Sequence, residues 1–462
     1  MIKSSLCFLL LLTSLKSSAQ DVQFETKFSE PFAVFQFLNS ISSKSPDNIY
    51  KKLFARSDFA GKPYSDLVAR FDSLNIDYDY DFTDYPAGQK IGIDVSNLLS
   101  RNLILCNGIQ DFKIRSLGLV PNEKLLSLID LLKQFTPVYE ALVYDSSKAR
   151  FNEQLQAISD LLKATNINYY FTESLQFYNS AWDLSIPFIF CFYPLPHSMG
   201  FTATAVSNVS MSPLADSLND YKVLLSIMLH EVSHILYDER SRSLWNQTEE
   251  WFSSNPSKVN RYANSLFNEA MATAVGNGYL ASQLNGKEDT THRWFGIKYI
   301  SMMAKTAYPL VKEYITSRKP MDRDFVNRYI QLYQEHFSDW LYDPQYLMRG
   351  RLLLSEKASD FDILRRFYAP AAGNEDQKEI SETVLKNLGN NHGTKVIIVN
   401  DNKEKLQLIK NSFPELNTWH YDPSEDFVYS KFLKDNTWLI ILNNVKTTTA
   451  AKLRSLTIKD EN

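Results

Sequence analysis

At 462 residues, 44% hydrophobic and 22% charged, the chain has the balance of a folded protein and room for two or three domains. Its formal charge of −4, with no local cluster of Arg and Lys, leaves no electrostatic footprint for nucleic acid or an anionic membrane. Beyond the N-terminal leader no stretch approaches the roughly 18 uncharged apolar residues that a membrane span needs, so the mature chain is expected to be soluble.

Residues 1–20 read as an export signal. Lys3 supplies a short positive region, Leu6 to Leu15 an apolar core, and Ser17-Ser18-Ala19 the small residues before cleavage, so the mature chain is expected to begin near Gln20 or Asp21. That predicts a periplasmic or extracellular protein. Losing Lys3 and Lys16 takes the formal charge from −4 to −6. Cys7 leaves too, and Cys106 and Cys191 alone can build neither a disulfide framework nor a thiolate zinc site. Their apolar neighbours suit two buried, unpaired thiols.

Residues 21–165 read as a helical N-terminal region after a short strand at 21–28, with apolar residues at three- and four-residue spacing in 31–42, 123–133 and 150–164. Residues 166–388 read as a second domain. In it, 186–193 is a short apolar run rich in β-branched and aromatic residues, as in a buried strand. Residues 201–211 alternate small and branched residues, and the two segments are expected to pair as a hairpin. Helical periodicity then runs from about Asp220 to Leu388. Residues 389–462 read as a small C-terminal α/β domain behind a linker at 389–393. Its strand-like segments are 395–399, 417–421 and 437–442, with helices at 403–411 and the C-terminal end. Asn400-Asp401-Asn402, not a glycine-rich loop, follows the first strand, so no nucleotide site is expected.

The chemistry concentrates in Leu224 to Leu236. His230 and His234 stand one helical turn apart on one face, so both imidazoles can reach one metal ion. Glu231 is swung about 100° round the helix, beside that ion, where its carboxylate can take a proton from bound water. Only seven histidines occur in the chain, so chance rarely produces this spacing. A third ligand must come from elsewhere. Tyr237 and Arg240 stand where an extended three-histidine motif would need glycine and histidine, and Asp238 and Glu239 are too close on the same helix to close a tetrahedron. Glu269 is the better candidate. It lies 35 residues past His234 (269 − 234), on a helical stretch with small neighbours that let it pack against the first helix. A competing reading is a non-catalytic exported binding protein whose metal site only braces helices; such a site would be closed by a fourth protein ligand.

His230-Glu231-x-x-His234 together with Asn268-Glu269-Ala270 resembles the gluzincins, the thermolysin-like zinc peptidases, over a short part of the chain. The resemblance implies Zn2+ bound by His230, His234 and Glu269, with Glu231 as general base acting on a peptide or protein substrate. It also implies that the strand before the motif helix, residues 201–211, forms the lip on which an extended peptide lies. Two departures stand out. Thr273 replaces the carboxylate that often follows the ligand glutamate by four residues, and no motif marks the oxyanion donor; His292, Tyr299 and Tyr308 read as packing or surface residues. The expected fold is α+β: a predominantly helical, zincin-like metallopeptidase domain with a small β-hairpin or sheet, plus a small C-terminal α/β domain.

Overall fold

The computed structural model describes residues 21–82, 84–85, 92–196, 202–290, 293–368, 375–389 and 392–460. The expected leader, residues 1–20, and His292 lie outside them. The chain is mixed α/β and mostly helical, with two main sheets.

The first sheet holds β1 (Phe24–Phe28), β2 (Phe188–Leu195), β3 (Thr204–Val206) and β4 (Val209–Ala215), in the order β1-β2-β4-β3. β2 runs parallel to β1 and to β4, with Phe24 opposite Phe188 and Ile189 opposite Val209. Here the expected hairpin is corrected: the 186–193 strand pairs in parallel with β4, and the hairpin is β3–β4. Residues 201–211 do not form one strand because Ser207, at φ 54°, turns the chain back on itself. Asn208 pins that turn, donating to Pro187 O (2.8 Å) and accepting from Arg101 (2.9 Å).

Side-chain parity along β2 separates two cores. Phe188, Phe190 and Phe192 face one way, while Ile189 and Cys191 face the other, as the two-residue period of a strand demands. The Ile189 face packs against α1 (Glu30–Ile41) and α2 (Asn122–Tyr139). The phenylalanine face packs against α3 (Asp145–Ala164) and α4 (Tyr221–Asp238). A sheet covered on both faces explains why β2 is apolar throughout instead of alternating. It also means that 21–165 does not stand apart as expected: β1 is a strand of the shared sheet and α3 belongs to the α4 core. Cys191 is buried and Cys106 half-buried, and neither is in a disulfide.

After α4 come α5 (Arg242–Ser253) and α6 (Asn260–Thr273), then a π-helical stretch, Ala274–Leu280, and the long α7 (Lys298–Thr316). The second sheet has β5 (Arg351–Ser355), β6 (Glu375–Gln377), β7 (Thr394–Asn400), β8 (Phe427–Phe432) and β9 (Trp438–Asn444), in the order β8-β9-β7-β5-β6 with only β8 antiparallel. The C-terminal α/β unit therefore begins near residue 351. The expected boundary at 389 falls between two of its strands, because β5 and β6 interrupt what read as continuous helix. The strand expected at 417–421 is instead β8, ten residues on.

This unit grips the N-terminal end of α6. The Tyr262 hydroxyl accepts from Trp438 N (2.9 Å) and lies 3.1 Å from the Thr394 hydroxyl, and Asn436 donates to Asn260 (3.1 Å). The second sheet thus braces the helix that carries Glu269. Among the described residues, no helix is long and apolar enough to cross a membrane.

Candidate metal centre

Asp220 caps α4, accepting from Lys222 N (3.1 Å) and Val223 N (3.3 Å). From there Leu224, Leu225, Met228, Val232, Ile235 and Leu236 recur at helical spacing and are buried. Their burial sets the rotation of the helix, and the face left over carries His230, Glu231 and His234. Across from it, the buried Ala270 and Ala272 let α6 approach closely, and Glu269 projects between the helices.

The two imidazoles stand nearly perpendicular, at 82°, with Nε2 atoms 3.0 Å apart; Glu269 Oε2 is 3.6 Å from each. Around a tetrahedral zinc with bonds of about 2.0–2.1 Å, neighbouring ligand atoms are separated by roughly 3.3 Å, so the three contacts bracket the required spacing. Glu269 Oε2 is buried and makes no hydrogen bond. A buried carboxylate oxygen without a donor, facing two imidazole lone pairs, is the donor set a divalent cation satisfies. The group could hold a metal ion. No fourth His, Cys, Asp or Glu joins it among the described residues. The Glu269 side chain keeps 40% of its surface exposed, so the cluster is reachable from solvent on one side.

Charge states suit the same role. Burial holds His230 down at about 3, with His234 adding to the effect, so its ring is neutral and its lone pair free. Burial also works against charged His234, but its hydrogen bond to Glu269 and the Glu269 and Glu231 carboxylates outweigh it and raise its pKa. For Glu269, burial favours the neutral form and the contact with His234 reverses it, drawing the carboxyl below its usual range. Burial pushes Glu231 up to about 7; nearby Glu269 adds to this, while His234 and a hydrogen bond from the Ala205 backbone oppose it. Glu231 is therefore a carboxyl poised near neutrality beside the cluster.

All four residues singled out by the sequence come together. Tyr299 and Tyr308 do not join them: the Tyr299 hydroxyl donates to Asp343 (2.5 Å), and the Tyr308 hydroxyl contacts Ser282 (3.3 Å) and Glu288 (3.4 Å). Sequence reasoning missed several supporting residues. Asn268 Oδ1 lies 2.9 Å from His234 Nδ1. Phe295 stacks on the His230 ring, with centroids 5.6 Å apart. Gly276, in the π-helical stretch, lies so close to α4 that a Cβ there would be 2.7 Å from His230 N. The signal for this last feature was in view: Val275-Gly276-Asn277-Gly278 is a poor helical sequence in the middle of a helix.

Comparison with models of protein families, with curated proteins and with solved structures finds no match for this chain, so its function must be argued from the geometry of this centre.

Proposed function

We propose that the chain is an exported zinc-dependent peptidase of gluzincin type, with His230, His234 and Glu269 as metal ligands and Glu231 as general base. The observation that carries this reading is the convergence of three ligand atoms at separations of 3.0 and 3.6 Å beside a buried carboxyl. Zinc so held supplies Lewis acidity, polarising a substrate carbonyl and acidifying water from about 16 toward 7. Glu231 takes the proton of the attacking water on its carboxylate and passes it to the departing amine. His230, kept neutral by burial, and His234, held by Asn268, keep their Nε2 atoms directed at the cation. The absence of a fourth protein ligand among the described residues favours a catalytic site over one that only braces helices.

A peptide is the favoured substrate because β3 is the edge strand of its sheet and lies against the motif helix, with the Ala205 backbone bonded to Glu231. An edge strand offers unpaired backbone groups to an extended chain. The test joins metal analysis with cleavage of a generic peptide library. Wild type should bind one zinc and cleave peptides until a chelator is added. Glu231→Gln should keep its zinc and lose hydrolysis; loss of the metal in that variant would show that Glu231 is not the base.

A further inference from the structure

We propose that Asn277, presented by the π-helical turn after α6, is the positioning residue that accepts the Nδ1 proton of His230 and so aims its Nε2 at the metal. This rests on the metal site proposed above and assigns a task that Thr273, at the position where a carboxylate would be expected, does not perform.

A histidine that binds a cation through Nε2 must carry its proton on Nδ1, and that proton needs an acceptor when the ring is buried. His230 is 5% exposed, and its Nε2 faces His234 and Glu269. Its Nδ1 is buried and makes no other hydrogen bond, and neither does the buried Asn277 Oδ1. The Asn277 side chain and the Ala272 backbone both bear on the His230 ring as hydrogen-bonding groups. A donor and an acceptor, each without another partner and in reach of each other, are complementary in the sense that buried polar groups require.

The local backbone explains how a residue eight positions past Glu269 comes to face the motif helix. Ala274–Leu280 is π-helical, so each turn takes in an extra residue and shifts every later side chain round the axis. Gly276, the residue before Asn277, touches His230 through backbone alone: a Cβ would stand 2.7 Å from His230 N and 2.8 Å from its Cα. That close approach lets the next side chain reach the ring. Thr273 Oγ1 is also buried and unpartnered, which makes Thr273 the rival acceptor.

The experiment measures zinc affinity by competition with a chromophoric chelator, and the Nδ1 proton of His230 by NMR of the zinc-loaded protein. Asn277→Ala should weaken zinc binding about 10- to 100-fold and expose the Nδ1 proton to rapid exchange. The near-isosteric Asn277→Asp, a stronger acceptor, should restore both, and it decides the matter if the alanine variant does not fold. Thr273→Val should leave both readouts unchanged. Wild-type zinc affinity in Asn277→Ala, or a loss in Thr273→Val instead, overturns the assignment while leaving the metal site standing. Failure of wild type to bind zinc overturns both.

Discussion

His234 Nδ1 and Asn268 Oδ1 lie 2.9 Å apart, so the residue immediately before Glu269 orients the ring whose other nitrogen faces Glu269 itself. One segment of α6 therefore supplies both a ligand and the support for another ligand. With Nε2 directed at a cation, the proton must sit on Nδ1 and Asn268 must accept it. Asn268→Ala should lower zinc affinity by about 10- to 100-fold, with Asn268→Asp retaining it. Unchanged affinity in the alanine variant, read by chelator competition, would mean that packing alone orients His234.

Gly276 should tolerate no side chain. A Cβ would meet His230 N at 2.7 Å and His230 Cα and Cβ at 2.8 Å, and backbone cannot swing aside as a side chain can. Gly276→Ala should therefore push α4 and the π-helical stretch apart, costing about 1–3 kcal/mol by overpacking and displacing His230 from the other ligands. Gly278→Ala is the control, because its Cβ would meet the rings of Trp294 and Tyr308, which are remote from the ligand atoms. Both variants should melt earlier than wild type, but only Gly276→Ala should lose zinc. Equal zinc content in the two would contradict this.

The free edge of β3 can be spoiled without touching the ligands. Proline is tolerated on edge strands where the amide faces outward, and the Ala205 backbone bonds to Glu231 instead of its neighbour strand. Ala205→Pro should keep fold and zinc while removing an amide and blocking extended substrates. Peptide turnover should fall roughly ten- to hundredfold, the equivalent of about 1–3 kcal/mol for a lost hydrogen bond. Full turnover would remove the lip role from β3.

The motif helix was legible because its signals are local: capping, apolar spacing and two histidines one turn apart all lie within Asp220 to Leu236. Glu269 was legible through its small neighbours. The partner of β2 was not, since a parallel pairing across the 196–208 connection depends on the β3–β4 turn and on contacts from Arg101, remote in sequence. Nor was the start of the C-terminal unit. β5 is five residues of buried sheet, Arg351 to Ser355, between helices, too short to break a helical periodicity read in longer windows. The supports of the centre, Asn268 and Gly276, are ordinary residues in sequence, and their roles follow from which helix faces α4.

The C-terminal unit should carry an acid-sensitive lock at Asp426. Its carboxylate accepts from Val445 N and Lys446 N (both 2.9 Å), Thr447 N (3.1 Å), the Thr447 hydroxyl (2.8 Å) and Lys452 Nζ (2.7 Å), tying the loop after β9 to the start of β8. Burial works to raise its pKa, but the Lys452 ammonium and these donors outweigh it and hold it far below the usual carboxylate range. A carboxyl depressed on folding stabilises the protein above its unfolded pKa, near 4, and loses that contribution as pH falls toward the folded value. Asp426→Asn should thus melt earlier than wild type at pH 7, because its amide places donors against donors. The gap should narrow steadily below about pH 4, as protonation costs the wild type the same interactions. Melting curves of both proteins between pH 7 and pH 3 check this, and a gap of constant size would show that the charge of Asp426 contributes nothing to the lock.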